Sequence, residues 1–226
     1  MKNESRLIVV LLGGPGSGKG TQAQIINSWL GIPQISTGQL LRSEIDRGTE
    51  CGKSVRAILE AGGLVDDDTI GGLISNRIGM SDCIDGFILD GYPRDIGQAV
   101  ALDRELLVSD CLVVIALSTH LDTIVRRLAG RWNCTYCGTS YASSSSVHSN
   151  TCEKCGTVLI RRTDDHEIVI RSRFATFQRE TPPLADFYRK RGVYETVNGM
   201  RPPAKVAEAI AKILRNTAAA TVSNAS

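Results

Sequence analysis

Four groups of residues in this chain have types and spacings suited to chemistry. The run Gly13-Gly14-Pro15-Gly16-Ser17-Gly18-Lys19-Gly20-Thr21 satisfies G-x-x-x-x-G-K, with Gly20 where Ser or Thr commonly follows the lysine and Thr21 one place later. Such a loop turns backbone N–H groups toward phosphate oxygens, adds the positive end of a helix, and supplies a mobile cation for the β- and γ-phosphates. Phe87-Ile88-Leu89-Asp90 puts an acid at the end of an apolar run, where it can order a water of a phosphate-bound Mg²⁺. Arginines outnumber lysines 19 to 7, and several lie between positions 126 and 173. Planar multi-donor guanidinium groups suit phosphate, although ordinary solvated surface arginines account for a share of them. Lastly, Cys134-x₂-Cys137 and Cys152-x₂-Cys155 have the spacing of a tetrahedral Zn²⁺ site with four thiolates.

A closed shell of four sulfurs leaves no position for substrate, so that site is structural, a clamp for a small segment with little apolar core. Other readings stay open at this point: two disulfides, a redox switch, a Cys₃His site using His148, or a nucleic-acid-binding zinc ribbon. The serines between the pairs and the single aromatic Tyr141 offer little surface for stacking bases.

The elements that must position these groups follow from the apolar pattern. Residues 7–12 form a continuous, partly β-branched apolar run that leads straight into the glycines, as a strand buried on both faces does. Residues 86–90, 111–117 and 193–197 have similar character, and 33–36 is a shorter candidate. Helical stretches are expected at 19–29, 39–46, 53–61, 67–79, 95–108, 122–129 and 204–215, with one long helix within 164–189. This alternation predicts an α/β fold: a P-loop nucleoside-triphosphate-binding fold with a five-stranded parallel sheet flanked by helices. Two segments break the repeat and read as insertions, one helical and one turn-rich with a tetraserine run at 143–146. The expected organisation is a core of 1–35, 66–129 and 166–215, inserted subdomains at 36–65 and 130–165, and a tail at 216–226 that frays or is disordered.

Composition excludes several classes. Among 226 residues, 42% are hydrophobic and 22% charged, an ordinary globular balance. No apolar run approaches the roughly 20 residues of a membrane span. A net charge of +2 argues against a general binder of nucleic acid or membrane surfaces. Seven cysteines do not suggest a disulfide framework, and residues 7–12 are too short for the core of a signal peptide. Reduced thiols and a cytoplasmic location are therefore expected.

Taken together, GGPGSGKGTQ at 13–22, STGQLLR at 36–42, LDGYPR at 89–94 with Gln98, and RRTDDHEIVIRSR at 161–173 resemble the adenylate kinases, in the longer form with a full lid. The resemblance spans about residues 7–214. It implies Mg²⁺-dependent, reversible phosphoryl transfer from ATP to AMP giving two ADP, by a protein that leans toward a monomer and needs neither nucleic acid nor membrane. By the same resemblance, Gly14, Pro15, Gly16, Ser17, Gly18, Lys19, Gly20, Thr21, Arg127 and Arg131 hold ATP. Thr37, Arg42, Leu64, Val65, Gly91, Arg94, Gln98, Arg162 and Arg173 hold AMP, with Thr37 beside the base and Gln98 reading adenine. Lys19, Arg94, Arg127, Arg131, Arg162 and Arg173 act in catalysis, and Asp90 organises Mg²⁺ through water. Asp164 and Asp165 resemble the lid hinge and its salt links. Zinc on Cys134, Cys137, Cys152 and Cys155 is also implied by zinc-bearing relatives. Closure of the two insertions over donor and acceptor would exclude water and complete the arginine cluster.

The chain departs from the family in places. Tyr141-Ala142 stands where family lids often have a histidine after the tyrosine, which leaves donor-base choice open, with GTP as a rival donor. Leu-Val-Asp-Asp at 64–67 lacks the usual proline in third place. A zinc-ribbon ATPase coupled to a partner is the rival from another class, but it has no use for Thr37, Arg42, Arg94 and Gln98. His120 and His166 read as surface residues, Cys51, Cys83 and Cys111 as small buried groups, and Trp29 and Trp132 as packing residues.

Overall fold

The structure is a computed structural model, describing residues 5–61, 63, 65–141 and 150–223. In chain order its elements are β1 (Leu7–Leu12), α1 (Lys19–Leu30), β2 (Gln34–Ser36), α2 (Thr37–Asp46), α3 (Glu50–Glu60), α4 (Asp67–Ile78), β3 (Gly86–Asp90), α5 (Ile96–Glu105), β4 (Cys111–Ser118), α6 (Leu121–Ala129), β5 (Trp132–Cys134), β6 (Ser140–Tyr141), β7 (Leu159–Ile160), α7 (Glu167–Glu180), α8 (Pro182–Arg189), β8 (Tyr194–Asn198) and α9 (Pro203–Ser223). Short 3₁₀ turns lie at Ser81–Cys83 and Thr163–Asp165.

Five strands make one parallel sheet in the order β2-β3-β1-β4-β8, the class expected from the apolar runs. Alternation along each strand sends side chains to two separate cores. Ile8, Val10, Phe87, Leu89 and Val114 face Ile74, Leu102, Leu184 and Tyr188 on one side. Val9, Leu11, Ile88, Val113 and Ile115 face Ala23, Ile26, Val206 and Ile210 on the other. Burial on both faces is why the strands read as continuous apolar runs rather than alternating ones. Strands β2 and β3 lie on one side of β1 and β4 and β8 on the other, so the order reverses beside β1 and a crevice opens at the carboxyl ends of the strands where the glycine loop and Asp90 emerge.

The turn-rich insertion carries a second, antiparallel sheet, β6-β5-β7. Its core is small: Cys134, Cys152 and Leu159, with Trp132 and Tyr141 against them. Two knuckles repeat one pattern. Gly138 N–H donates to Cys134 O and Cys134 N–H to Thr139 O, while Gly156 N–H donates to Cys152 O and Cys152 N–H to Thr157 O. This brings the cysteine pairs together.

Several elements differ from expectation. The long helix expected within 164–189 is two helices, broken at Thr181 before Pro182-Pro183, because proline suits a helix start and not its interior. The last helix continues past the expected Arg215 to Ser223, through an alanine-rich stretch of high helix propensity. Helix α2 starts at Thr37 rather than at 39, and α5 stops at Glu105 because Leu106 is extended. Of the three scattered cysteines only Cys83 is fully buried, and Trp29 is 47% exposed at the end of α1 rather than packed. Among the described residues, no helix is long and apolar enough to cross a membrane.

Candidate functional site

A cleft of about 920 Å³ lies between the crevice and the two insertions. Its floor is the glycine loop, which turns from β1 into α1. Gly18 caps α1 with φ of 103°, a left-handed geometry that side chains resist, and the helix then begins at Lys19. Lys19 Nζ donates to Gly13 O at 2.8 Å and Gly14 O at 3.0 Å, so the ammonium is folded back over its own loop. Burial, followed by the charges of Arg94, Arg173 and Arg131, pushes Lys19 down to about 8, with Asp90 opposing. Gly20 matters for its lack of a side chain. A Cβ there would lie 3.3 Å from Asp90 Oδ2, so the glycine lets the end of β3 approach the loop. Asp90 Oδ2 also accepts from Gln34 Nε2 at 3.0 Å.

Opposite the loop, α2 brings in Thr37 from its first turn, whose hydroxyl donates to Gly91 O at 3.1 Å, and Arg42 from its second. Arg94 Nε donates to the same Gly91 carbonyl at 3.0 Å. Burial holds the Arg94 guanidinium below its ordinary value, and burial with Arg162 pushes Arg42 down to about 9. Both directions signal cations crowded together in a desolvated place, where a bound anion would relieve them.

The lid insertion and the helices on either side of it, α6 and α7, add more guanidinium groups. Arg127 Nη1 lies 3.5 Å from Ser17 O. Arg131 grips Asp165 with two bonds, at 2.8 and 2.5 Å. Arg162 and Arg173 share Asp164, with Arg173 Nη1 3.0 Å from its Oδ2 and Arg162 Nε 2.7 Å from its Oδ1. Burial raises the Asp164 carboxyl, but the bond and charge of Arg162, with Arg173 and Arg42, outweigh that and hold it at about 2. Each guanidinium carries five N–H donors, so these pairs fix the planes while leaving donors for a second anion.

The expected site residues therefore divide. Pro15, Gly16, Ser17, Gly18, Lys19, Gly20, Thr21, Thr37, Arg42, Asp90, Gly91, Arg94, Arg127, Arg131, Arg162 and Arg173 all line the cleft. Gln98 is buried behind it: its Nε2 donates to Asp67 Oδ1 at 2.8 Å and its Oε1 accepts Arg94 N–H at 2.9 Å. That amide braces the Arg94 loop from the rear. Val65 is buried in the core, and Gly14 packs against Ile124 and Phe174. Leu64, His148 and the serines at 143–146 lie outside the described residues.

Sequence reasoning passed over Gln34, Gln39 and Asn133, which also line the cleft. Their signal in the sequence is faint, since each is a lone amide next to stronger motifs.

The four lid sulfurs lie within 4.8 Å of one another, with Cys134 to Cys155 and Cys137 to Cys152 both at 3.4 Å. Bonds of about 2.3 Å to one tetrahedral metal would put sulfurs about 3.8 Å apart, so the cluster fits a Zn²⁺ ion with little adjustment.

Residues 11–193 match the family model described as adenylate kinase. Among curated proteins, the adenylate kinase of Thermodesulfovibrio yellowstonii is 41% identical over 210 residues, spanning 91% of this chain and 98% of that one. The adenylate kinase of Syntrophotalea carbinolica is likewise 41% identical, across 91% and 97% of the two chains. That of Archaeoglobus fulgidus is 40% identical, across 85% and 91%.

Proposed function

The chain belongs to the adenylate kinase family, and from that premise we propose how its own residues carry reversible phosphoryl transfer from ATP to AMP, giving two ADP. The observation that carries the reading is one cleft with a phosphate-binding loop on its floor, Thr37, Arg42 and Arg94 on the facing wall, and Arg131, Arg162 and Arg173 between.

The γ-phosphoryl group in transfer asks little covalent work of a protein; rate comes from positioning and from charge on its equatorial oxygens. The loop N–H groups and Lys19 hold the donor phosphates once Lys19 leaves its own carbonyls. Arg42 and Arg94 hold the acceptor phosphate, with Arg94 fixed in plane by Gly91 O and by the Gln98 brace. Arg127, Arg131, Arg162 and Arg173 close on the transferred group, preset by Asp164 and Asp165. No side-chain nucleophile is required. Gln98 acts on the acceptor through Arg94, a positioning role supported by its buried bonds.

Magnesium bound with the nucleotide neutralises phosphate charge, and Asp90, steadied by Gln34, is the residue we assign to its water shell. The four cysteines are assigned to a structural zinc that cross-links the two knuckles. In this reading 1–35, 66–129 and 166–215 are the core, 36–65 is the acceptor insertion, and 130–165 is the lid whose closure keeps water from the transferred group.

The test is ADP formation with Mg-ATP alone and with AMP, CMP, UMP or GMP added, with Lys19→Ala as control. AMP-driven ADP formation that the control lacks is expected. ADP appearing equally without an acceptor would instead make the chain an ATPase.

A further inference from the structure

Helix α7 ends on a threonine whose hydroxyl does not cap the helix that follows. Thr181 stands at the N-cap position of α8, where a threonine side chain ordinarily accepts from the second or third backbone N–H. Here neither donor is available to it. Pro183 in the second place carries no N–H, and Leu184 N–H in the third donates to Thr181 O at 3.0 Å. The side chain accordingly makes no cap. At the cleft wall and only 9% exposed, Thr181 Oγ1 instead donates to Arg94 O at 3.1 Å, across 87 positions of sequence.

That bond completes a three-point hold on one arginine. Arg94 N–H donates to Gln98 Oε1 on α5, Arg94 Nε donates to Gly91 O, and the Arg94 carbonyl accepts from the junction of α7 and α8. The first two bonds fix the loop to its own surroundings. The third fixes it to the helix that carries Arg173, two turns or about 12 Å of helix before Thr181. Burial, and then the charges of Arg162, Arg131 and Arg94 against that of Asp164, bring Arg173 down to about 10. Arg94 and Arg173 thus repel one another in a place with little water, and a tether between their elements opposes their separation.

We propose that Thr181 is a positioning residue for the acceptor: its hydroxyl, through the Arg94 carbonyl, sets the Arg94 guanidinium at the acceptor phosphate and in register with Arg173. The prolines after Thr181 serve the same end, since they start α8 without calling on the hydroxyl. Without that hydroxyl the Arg94 carbonyl loses its donor, the peptide is free to turn, and the guanidinium moves away from Arg173. The effect falls on the acceptor, because the bond is to the loop of Arg94 and not to the glycine loop that holds the donor phosphates.

This inference rests on the acceptor role proposed for Arg94, and the experiment keeps it apart from the phosphotransferase reading. Calorimetric affinities and KM values for AMP and for Mg-ATP are compared in the wild type, Thr181→Val and Thr181→Ser. Thr181→Val is expected to bind AMP roughly tenfold more weakly and to raise its KM to match, with Mg-ATP within about twofold of the wild type. Thr181→Ser, which keeps the hydroxyl and loses the methyl, is expected to return most of the AMP affinity. A packing role would give the reverse order, with serine worse than valine, and would overturn the proposal. So would an unchanged AMP affinity in Thr181→Val, or an equal loss for both nucleotides. Thr181→Ala against Thr181→Ser, a pair differing by the hydroxyl alone, gives the same contrast if the valine variant does not fold. A wild type that binds AMP and forms no ADP from it would sink the phosphotransferase reading while the binding contrast still judges Thr181, and one that binds no AMP would overturn both.

Discussion

Lys19 shows how the site is poised at the scale of one residue. Among the described residues its ammonium donates to backbone carbonyls, and burial with the charges of Arg94, Arg173 and Arg131 outweighs Asp90 and brings it down to about 8. A triphosphate supplies the missing negative charge and favours the protonated form. Binding should therefore take up a proton wherever free Lys19 is partly neutral, at and above about pH 8, and affinity should weaken as pH rises through that range. Calorimetry at pH 8.5 in two buffers of different ionisation enthalpy is expected to show more than about half a proton taken up per nucleotide. At pH 7 that component should be small, and in Lys19→Met it should vanish at both values. An uptake at pH 8.5 that survives in Lys19→Met would mean another group titrates.

At the scale of elements, the two insertions meet directly. Gly138, with φ of 70° after the first knuckle, has the amide of Gln39 against it: a Cβ there would lie 1.5 Å from Gln39 Nε2. Gln39 stands in the first turn of α2, between Thr37 and Arg42, so the cysteine knuckle buttresses the helix that carries the acceptor residues. Gly138→Ala should prop the insertions apart and withdraw Arg131 and Arg162 from the centre, lowering kcat/KM on the order of tenfold. The left-handed backbone at position 138 costs an alanine about 1 kcal/mol of folding stability that no neighbour can relieve, but that cost falls on the folded state as a whole and not on closure. The clash is relievable. Combining Gly138→Ala with Gln39→Ala should recover most of the activity, a coupling above about 1 kcal/mol in a double-mutant cycle. Additive losses would show that the contact carries no closure energy.

The same contact marks the limit of what the residues reveal before folding. The sheet is legible because burial on both faces leaves long apolar runs, and the glycine loop because its backbone geometry demands particular residues at particular offsets. Boundaries are harder where helical periodicity runs on across a break, as at Thr181, where Pro182-Pro183 is the cue. Motifs name the arginines, but not their sharing of Asp164 and Asp165, nor the placing of Gln98 behind Arg94 rather than in the cleft. Gln34, Gln39, Asn133 and Thr181 owe their significance to surfaces that only the fold brings together.

Across the whole molecule, stability is divided unequally between the sheet and the lid. Two large apolar clusters hold the parallel sheet. The lid has a handful of apolar groups, two of them cysteines that belong to the four-sulfur cluster. A core that small cannot offset the entropy of ordering its loops, so the lid should depend on the zinc proposed for its four sulfurs; binding of Zn²⁺ to four thiolates contributes roughly 10–16 kcal/mol in small zinc modules. The sheet has no such dependence. Stripping the metal with a chelator, or replacing Cys137 and Cys155 with serine, should raise amide exchange at 132–141 and 150–160 while leaving 7–12, 86–90 and 111–118 protected. Nucleotide should still bind the glycine loop, more weakly, because Lys19 and the α1 N-terminus belong to the sheet side. AMP-dependent ADP formation should fall far more steeply than binding, because Arg131 and Arg162 stand at the two roots of the lid and lose their setting when it loosens. Loss of protection in the central strands together with the lid would mean that the cluster stabilises the whole fold, and undiminished turnover without metal would mean that the lid holds its arginines unaided.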